Sequence, residues 1–185
     1  NKLAHDLVQL MQERTSDGYV FRTDLRLRPD PASTPPAVHV EAAYYYYESV
    51  GQNWERAAMI KARPVAGDLK AGEQFLKNIA PFMWRRSLDF ASIQDIHSIK
   101  RQMDSRQGKD IQIPGHNVKL GIGGIREIEF VCQVFQLIRG GRHKALRTRA
   151  TQTMFSELEN WGMLLPEQVA ELRAAYVFLR NLEHR

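Results

Sequence analysis

Residues 125–139, "IREIEFVCQVFQLIR", constrain this chain more than any other stretch. On a helix, Ile128, Val131, Phe135 and Ile138 fall on one side, with Phe130, Val134 and Leu137 close by. A helix that is apolar on more than one side must be covered by several other elements. The spacing therefore predicts the central helix of a bundle. The same periodicity predicts helices over 71–85, 92–106, 124–139, 148–162 and 166–183. Pro166 suits the first turn of the last, where Val169, Leu172, Tyr176, Leu179 and Leu182 recur at steps of three or four. Residues 108–123 interrupt the series and read as a loop or short hairpin.

The N-terminal part reads differently. Leu3, Leu7, Leu10 and Met11 predict an amphipathic helix over 2–14, ended by "TSDG". Residues 19–28 then alternate as a strand does. Tyr19, Phe21, Thr23, Leu25 and Leu27 form the expected core face; Val20, Arg22, Asp24, Arg26 and Arg28 form the other. "PDPASTPP", with four prolines, is a loop. "AVHV", 37–40, reads as a short returning strand. Helical composition resumes in "EAAYYYYESV" and "WERAAMIKAR", with Gly51 as a break and Asn53 as a cap. The expected organisation is a mixed α and β part, residues 1–70, followed by a helical domain, residues 71–185.

The chain has 185 residues, of which 43% are hydrophobic and 25% charged. That composition excludes a wholly disordered chain. A net charge of +5 is compatible with anionic ligands but too small to indicate nucleic acid. The single cysteine, Cys132, excludes an internal disulfide and sits in an apolar helical run, as a small buried hydrophobe would. No apolar run is long enough to span a membrane. The opening "NKLAHDL" has neither an initiator Met nor a signal-peptide layout, and reads as the start of an excised piece.

Two readings of the charged face at 22–28 stand side by side. Arginines and an aspartate on an exposed strand can simply screen one another. Alternatively, Asp24, kept ionised by its cationic neighbours, is a hard ligand for Mg²⁺, and the arginine forks beside it suit phosphate oxygens. Phosphoryl or nucleotidyl transfer needs such a pairing, but one carboxylate rarely suffices, and the chain has no D-x-D. Lys61 and Arg63 likewise read either as the basic end of a packed helix or as further anion ligands. "GIGG" before the central helix is a weak anion-binding signal. Glu127 and Glu129, two apart, do not share a helix face, so an arginine partner for one of them is the expectation. The scattered histidines give no zinc spacing. The four tyrosines at 44–47 surround their helix, some inward and some outward. The basic run 139–149 reads as a solvated loop.

"GYVFRTDLRLRPDP", "YYYYESVGQNWERAAMIKARPVAGD" and "GGIREIEFVCQVFQLIRGGR", in this order, resemble the bacterial bifunctional glutamine synthetase adenylyltransferase/adenylyl-removing enzyme family. The resemblance covers essentially the whole chain. It implies an α+β fold: the C-terminal part of a polymerase-β-type nucleotidyltransferase domain, followed by a mainly helical bundle. It implies a cytoplasmic enzyme acting on glutamine synthetase, using Mg²⁺ with ATP, ADP and phosphate, and biased by the signal protein PII. "FRTDLRLRP", "GQNWERAAMIKAR" and "VFQLIRGGR" resemble the N-terminal, adenylyl-removing half, in which phosphate attacks a tyrosyl-AMP ester and releases ADP. Carried over, Asp24 matches a metal carboxylate and catalytic residue. Arg26, Arg28, Lys61 and Arg63 match basic positions expected to bind phosphate or nucleotide. The family's Gly-Ser and D-x-D are absent from this chain, so the isolated chain is expected to be inactive. The loop "DPASTPP" departs from the glycine-containing loop of many members. The competing expectations are a non-catalytic helical module that docks glutamine synthetase or PII and, more remotely, an RNA-binding domain.

Overall fold

The computed structural model describes residues 1–86 and 117–184, together with positions 94, 96 and 101. Most of the helix expected over 92–106, and most of the interruption at 108–123, lie outside the described residues. Eight α-helices are seen among the described residues: α1 (Lys2–Gln12), α2 (Val40–Ser49), α3 (Asn53–Met59), α4 (Leu69–Asn78), α5 (Ala80–Met83), α6 (Ile125–Arg139), α7 (Thr151–Asn160) and α8 (Pro166–Glu183). A 3₁₀ turn, Lys144–Leu146, joins α6 to α7.

Local chemistry sets most helix ends. The Asp68 carboxylate accepts the Ala71 N–H at 3.0 Å and starts α4. Glu55 reaches back to accept the Gln52 N–H at 2.7 Å at the start of α3. The predicted helix 71–85 is two helices, α4 and α5. Pro81, in the first turn of α5, has no N–H to continue α4.

The α+β expectation is not met among the described residues, which contain helices and only an isolated bridge between Thr15 and Gly18. Residues 19–28 form no strand. A strand exists only when a neighbour completes its hydrogen bonds. "AVHV", expected to return as that neighbour, instead runs into α2, whose first turn is capped by His39 Nδ1 accepting from Glu41 N–H at 3.3 Å. The extended run is tied instead to the end of α1, with Phe21 N–H donating to the Met11 carbonyl at 2.9 Å. Its expected core face is open: Tyr19, Phe21 and Leu27 are all exposed.

The central helix behaves as its sequence predicts. One face of α6, Ile128 and Cys132, packs with Leu146, Met154, Phe155, Leu158 and Val169 in a core shared with α7 and α8. The other face, Phe130 and Leu137, packs with Ala57 and Ile60 beyond it, and with Trp54 and Trp84. A third cluster, Tyr47, Ile79, Phe82 and Met83, joins α2 to α4 and α5. The chain leaving α6 needs Gly140 and Gly141. A Cβ at the first would lie 2.8 Å from the Trp84 ring, and at the second would overlap the Arg85 carbonyl.

Candidate functional site

Asp24 and Arg26 form a closed fork. The Arg26 N–H donates to Asp24 Oδ1 at 3.0 Å, its Nε to the same oxygen at 2.9 Å, and its Nη2 to Oδ2 at 2.6 Å. This bidentate arrangement, aided by the backbone donor and by Arg22, holds the Asp24 carboxyl well below the usual carboxylate range. The pair lies at the surface. Asp24 is thus ionised, as its neighbours implied, but one neighbour has taken both of its oxygens.

Arg28 turns the other way. Its guanidinium donates to the carbonyls of Leu25, Pro31 and Thr34, the last two at 3.0 Å. It holds the proline-rich loop in shape. Within that loop Asp30 adopts a left-handed backbone with φ 38°, and its carbonyl accepts the Thr34 N–H at 2.9 Å.

Lys61 lies just past the end of α3. Its ammonium donates to the Arg149 carbonyl at 2.6 Å and to Thr151 Oγ1 at 3.0 Å, at the start of α7. Arg149 Nη1 donates back to the Ala62 carbonyl at 3.4 Å. Arg63 is exposed. A cleft of about 250 Å³ brings Leu27 from the extended run beside Trp54, Glu55, Met59 and Lys61. Asp24, Arg26, Arg28 and Arg63 are not among its lining, so the five predicted residues do not converge on one pocket.

Sequence reasoning missed two charges in α3. Glu55 and Arg56 are buried. The Glu55 carboxylate accepts from Tyr46 Oη at 3.1 Å as well as from Gln52 N–H, and burial raises its pKa. Arg56 donates to the Met83 carbonyl through Nη2 at 3.2 Å and to Asn53 Oδ1 through Nη1 at 2.9 Å. The spacing of Gln52 and Glu55 was a signal for the first; nothing local marks the second. The two glutamates of α6 part company. Glu127 accepts the Gly123 N–H at 2.8 Å, and Glu129 accepts from Tyr176 Oη at 3.1 Å.

Among the described residues no group of three or more His, Cys, Asp or Glu side chains is placed to hold a metal ion. With both Asp24 oxygens engaged by Arg26, the described residues do not by themselves fit Mg²⁺.

The sequence is similar to known enzymes along its whole length. A family described as glutamate-ammonia ligase adenylyltransferase matches residues 1–78, and one described as GlnD PII-uridylyltransferase matches residues 95–185. The whole chain is 61% identical to a segment of the bifunctional glutamine synthetase adenylyltransferase/adenylyl-removing enzyme of Rhizobium meliloti (strain 1021). It is 60% identical to that of Agrobacterium fabrum and 54% identical to that of Rhodopseudomonas palustris (strain HaA2). All 185 residues are covered in each case, and they span 19% of each relative's length. The chain is therefore homologous to a segment of these bifunctional enzymes, as the resemblance of its motifs implied.

Proposed function

We propose that this chain works within a nucleotidyltransferase that controls glutamine synthetase, and that residues 1–70 belong to its adenylyl-removing centre. The observation that carries this reading is the adenylyltransferase match over residues 1–78, which contains both "RTDLRLRP" and "NWERAAMIKAR". The extended, unpaired run 19–28 is then an edge of a polymerase-β-type sheet whose other strands are not among the described residues. The reaction would be phosphorolysis: phosphate attacks the phosphorus of a tyrosyl-AMP ester, the P–O bond to tyrosine breaks, and ADP leaves. ATP, ADP and PII enter as ligands and regulator of the whole enzyme.

The chain's own part in that reaction would be electrostatic. Arg26 spends Nε and Nη2 on Asp24, which leaves the outer edge of an exposed guanidinium for a phosphate oxygen. Arg28 shapes the loop beside it. Mg²⁺ enters this reading only with carboxylates other than those the described residues place beside Asp24, and without the family's D-x-D the isolated chain is expected to be inactive.

A second reading makes the helical part a docking module for glutamine synthetase or PII. It is favoured by α8, which leaves Val177, Phe178 and Leu182 exposed. Residues 95–185 also match a family described as GlnD PII-uridylyltransferase, which suits a part common to enzymes with different nucleotides.

The test uses the full-length enzyme, adenylylated glutamine synthetase and phosphate, with ADP release as the readout. Phosphate-dependent ADP that is lost in Asp24→Ala supports the adenylyl-removing reading. AMP transfer to unmodified synthetase that is lost instead assigns the segment to the opposite half. If neither reaction responds, the catalytic reading falls and the docking module stands.

A further inference from the structure

A cleft of about 490 Å³ opens between α2 and the corner where α4 meets α5. Its chemistry is unlike the rest of this basic chain. Glu41, Tyr44, Tyr45 and Glu48 line it, spaced so that they share one face of α2. Glu41, Tyr45 and Glu48 are exposed. Tyr44 is fixed, stacked on Phe75 with ring centroids 5.4 Å apart and its hydroxyl accepting from Asn78 Nδ2 at 2.9 Å. Tyr47 also lines the cleft. Only 3% of it is exposed, and its ring lies 5.3 Å from that of Phe82 between centroids. Two carboxylates thus flank a floor of aromatic rings.

We propose that this cleft receives two arginine side chains from an extended basic segment of a partner protein. Carboxylates and ring faces both attract cations, and a planar guanidinium can stack on tyrosine while its fork meets a carboxylate. The spacing excludes a chelated metal ion. Glu41 and Glu48 are seven residues apart on a helix, which at about 1.5 Å per residue is roughly 10 Å. One cation cannot be ligated by both, since metal–oxygen bonds are about 2.0–2.6 Å. In a polyproline II segment, residues three apart point the same way and are separated by roughly 9 Å. A basic segment with arginines at positions one and four of such a helix therefore matches the two carboxylates, and tyrosine-lined grooves suit that backbone. The inference stands apart from the nucleotidyl-transfer reading, because it uses neither Asp24 nor any of the basic side chains assigned to phosphate there.

The probe is the peptide acetyl-Gly-Arg-Pro-Pro-Arg-Gly-amide, titrated into the 185-residue chain and followed by isothermal calorimetry and by the tyrosine ring resonances. Saturable binding in the millimolar range or tighter is expected, weakening with salt. The E41Q/E48Q double variant should bind at least tenfold more weakly, while an E157Q/E159Q control on α7 should bind as wild type does. Replacing both arginines by citrulline, which keeps the shape and removes the charge, should cost a similar factor. Removing one proline, which breaks the spacing, should weaken binding several-fold. Far-UV circular dichroism checks that each variant keeps its helices. Equal affinity for E41Q/E48Q and wild type would overturn the proposal, as would equal affinity for the citrulline peptide or no saturable binding at millimolar peptide. Weakening in E41Q/E48Q without any response of the tyrosine rings would also overturn it, since the aromatic floor would then play no part.

Discussion

Lys61 and Arg149, far apart in sequence, fasten two stretches of backbone together from opposite sides. The Lys61 ammonium donates to the Arg149 carbonyl at 2.6 Å, and the Arg149 guanidinium donates to the carbonyl of Ala62 at 3.4 Å. A lysine at a helix start opposes the helix dipole, so the contact persists through its hydrogen bonds rather than through that field. Replacing Lys61 with Met should keep most of the packing and remove the ammonium. The expected loss is about 1–2 kcal/mol in chain stability, measured by urea unfolding, with faster amide exchange in the first turn of α7. An unchanged urea midpoint would return Lys61 to the role of a phosphate ligand.

Arg56 is the more costly cation to lose. It is buried and holds the Met83 carbonyl at the end of α5. Arg56→Met leaves that carbonyl without its donor and should cost about 2–3 kcal/mol. Arg56→Lys keeps the charge but not the fork, and should recover only part of the loss. Thermal unfolding of the two variants against wild type distinguishes fork from charge; equal unfolding temperatures for the two variants would mean that charge without the fork contributes nothing, and a lysine variant as stable as wild type would mean that charge alone matters.

The Asp24 carboxyl should remain ionised well below the usual range, because Arg26 meets both of its oxygens. Its folded pKa is depressed. The linked stability is therefore present above the unfolded value, about 3.9, and is lost as pH falls through the folded one. Both side chains are open to water, so salt should weaken this contribution. A carbon-detected titration of Asp24 in wild type and Arg26→Gln measures it. In the variant the titration should move up toward the ordinary aspartate range; an unmoved curve would rule out the fork as the cause.

Cys132 should be inert while the chain is folded. Burial against α7 and α8 pushes its thiol up to about 12, so almost no thiolate exists near neutral pH. Alkylation by iodoacetamide at pH 8 should proceed at the rate of opening, and should accelerate sharply in urea below the unfolding midpoint. A rate equal to that of an unfolded control peptide would show that α6 is not covered as described.

The helical part was legible because burial leaves a period in the sequence. Ile128, Phe130, Cys132 and Leu137 are buried where the apolar pattern placed them, and Pro166 opens α8 as its fixed φ favours. The tyrosines divide as expected, with Tyr47 inside and Tyr45 outside. The strand at 19–28 was a different kind of inference. Alternation records which side chains could share a face, but pairing depends on another segment, and no local signal reports whether that segment is present. The same limit applied to Arg28 and Lys61. A basic residue in a basic motif offers a charge, and only the folded chain shows that its hydrogen bonds go to backbone carbonyls. Arg56 was invisible for the opposite reason: a charged residue in a short helix is ordinarily outside.

The two-sided packing of α6 makes it a party wall. Ile128 and Cys132 face α7 and α8, while Phe130 and Leu137 face α3 and the tryptophans beside it. Neither room can be vacated without exposing a face of the wall to water. Ending the chain before α7 would leave a greasy exterior on whatever remained, and removing the residues up to the end of α3 would do the same from the other side. Insertions in such an architecture are tolerated at the loops, and the rhythm of the wall itself has to be kept by both neighbours at once.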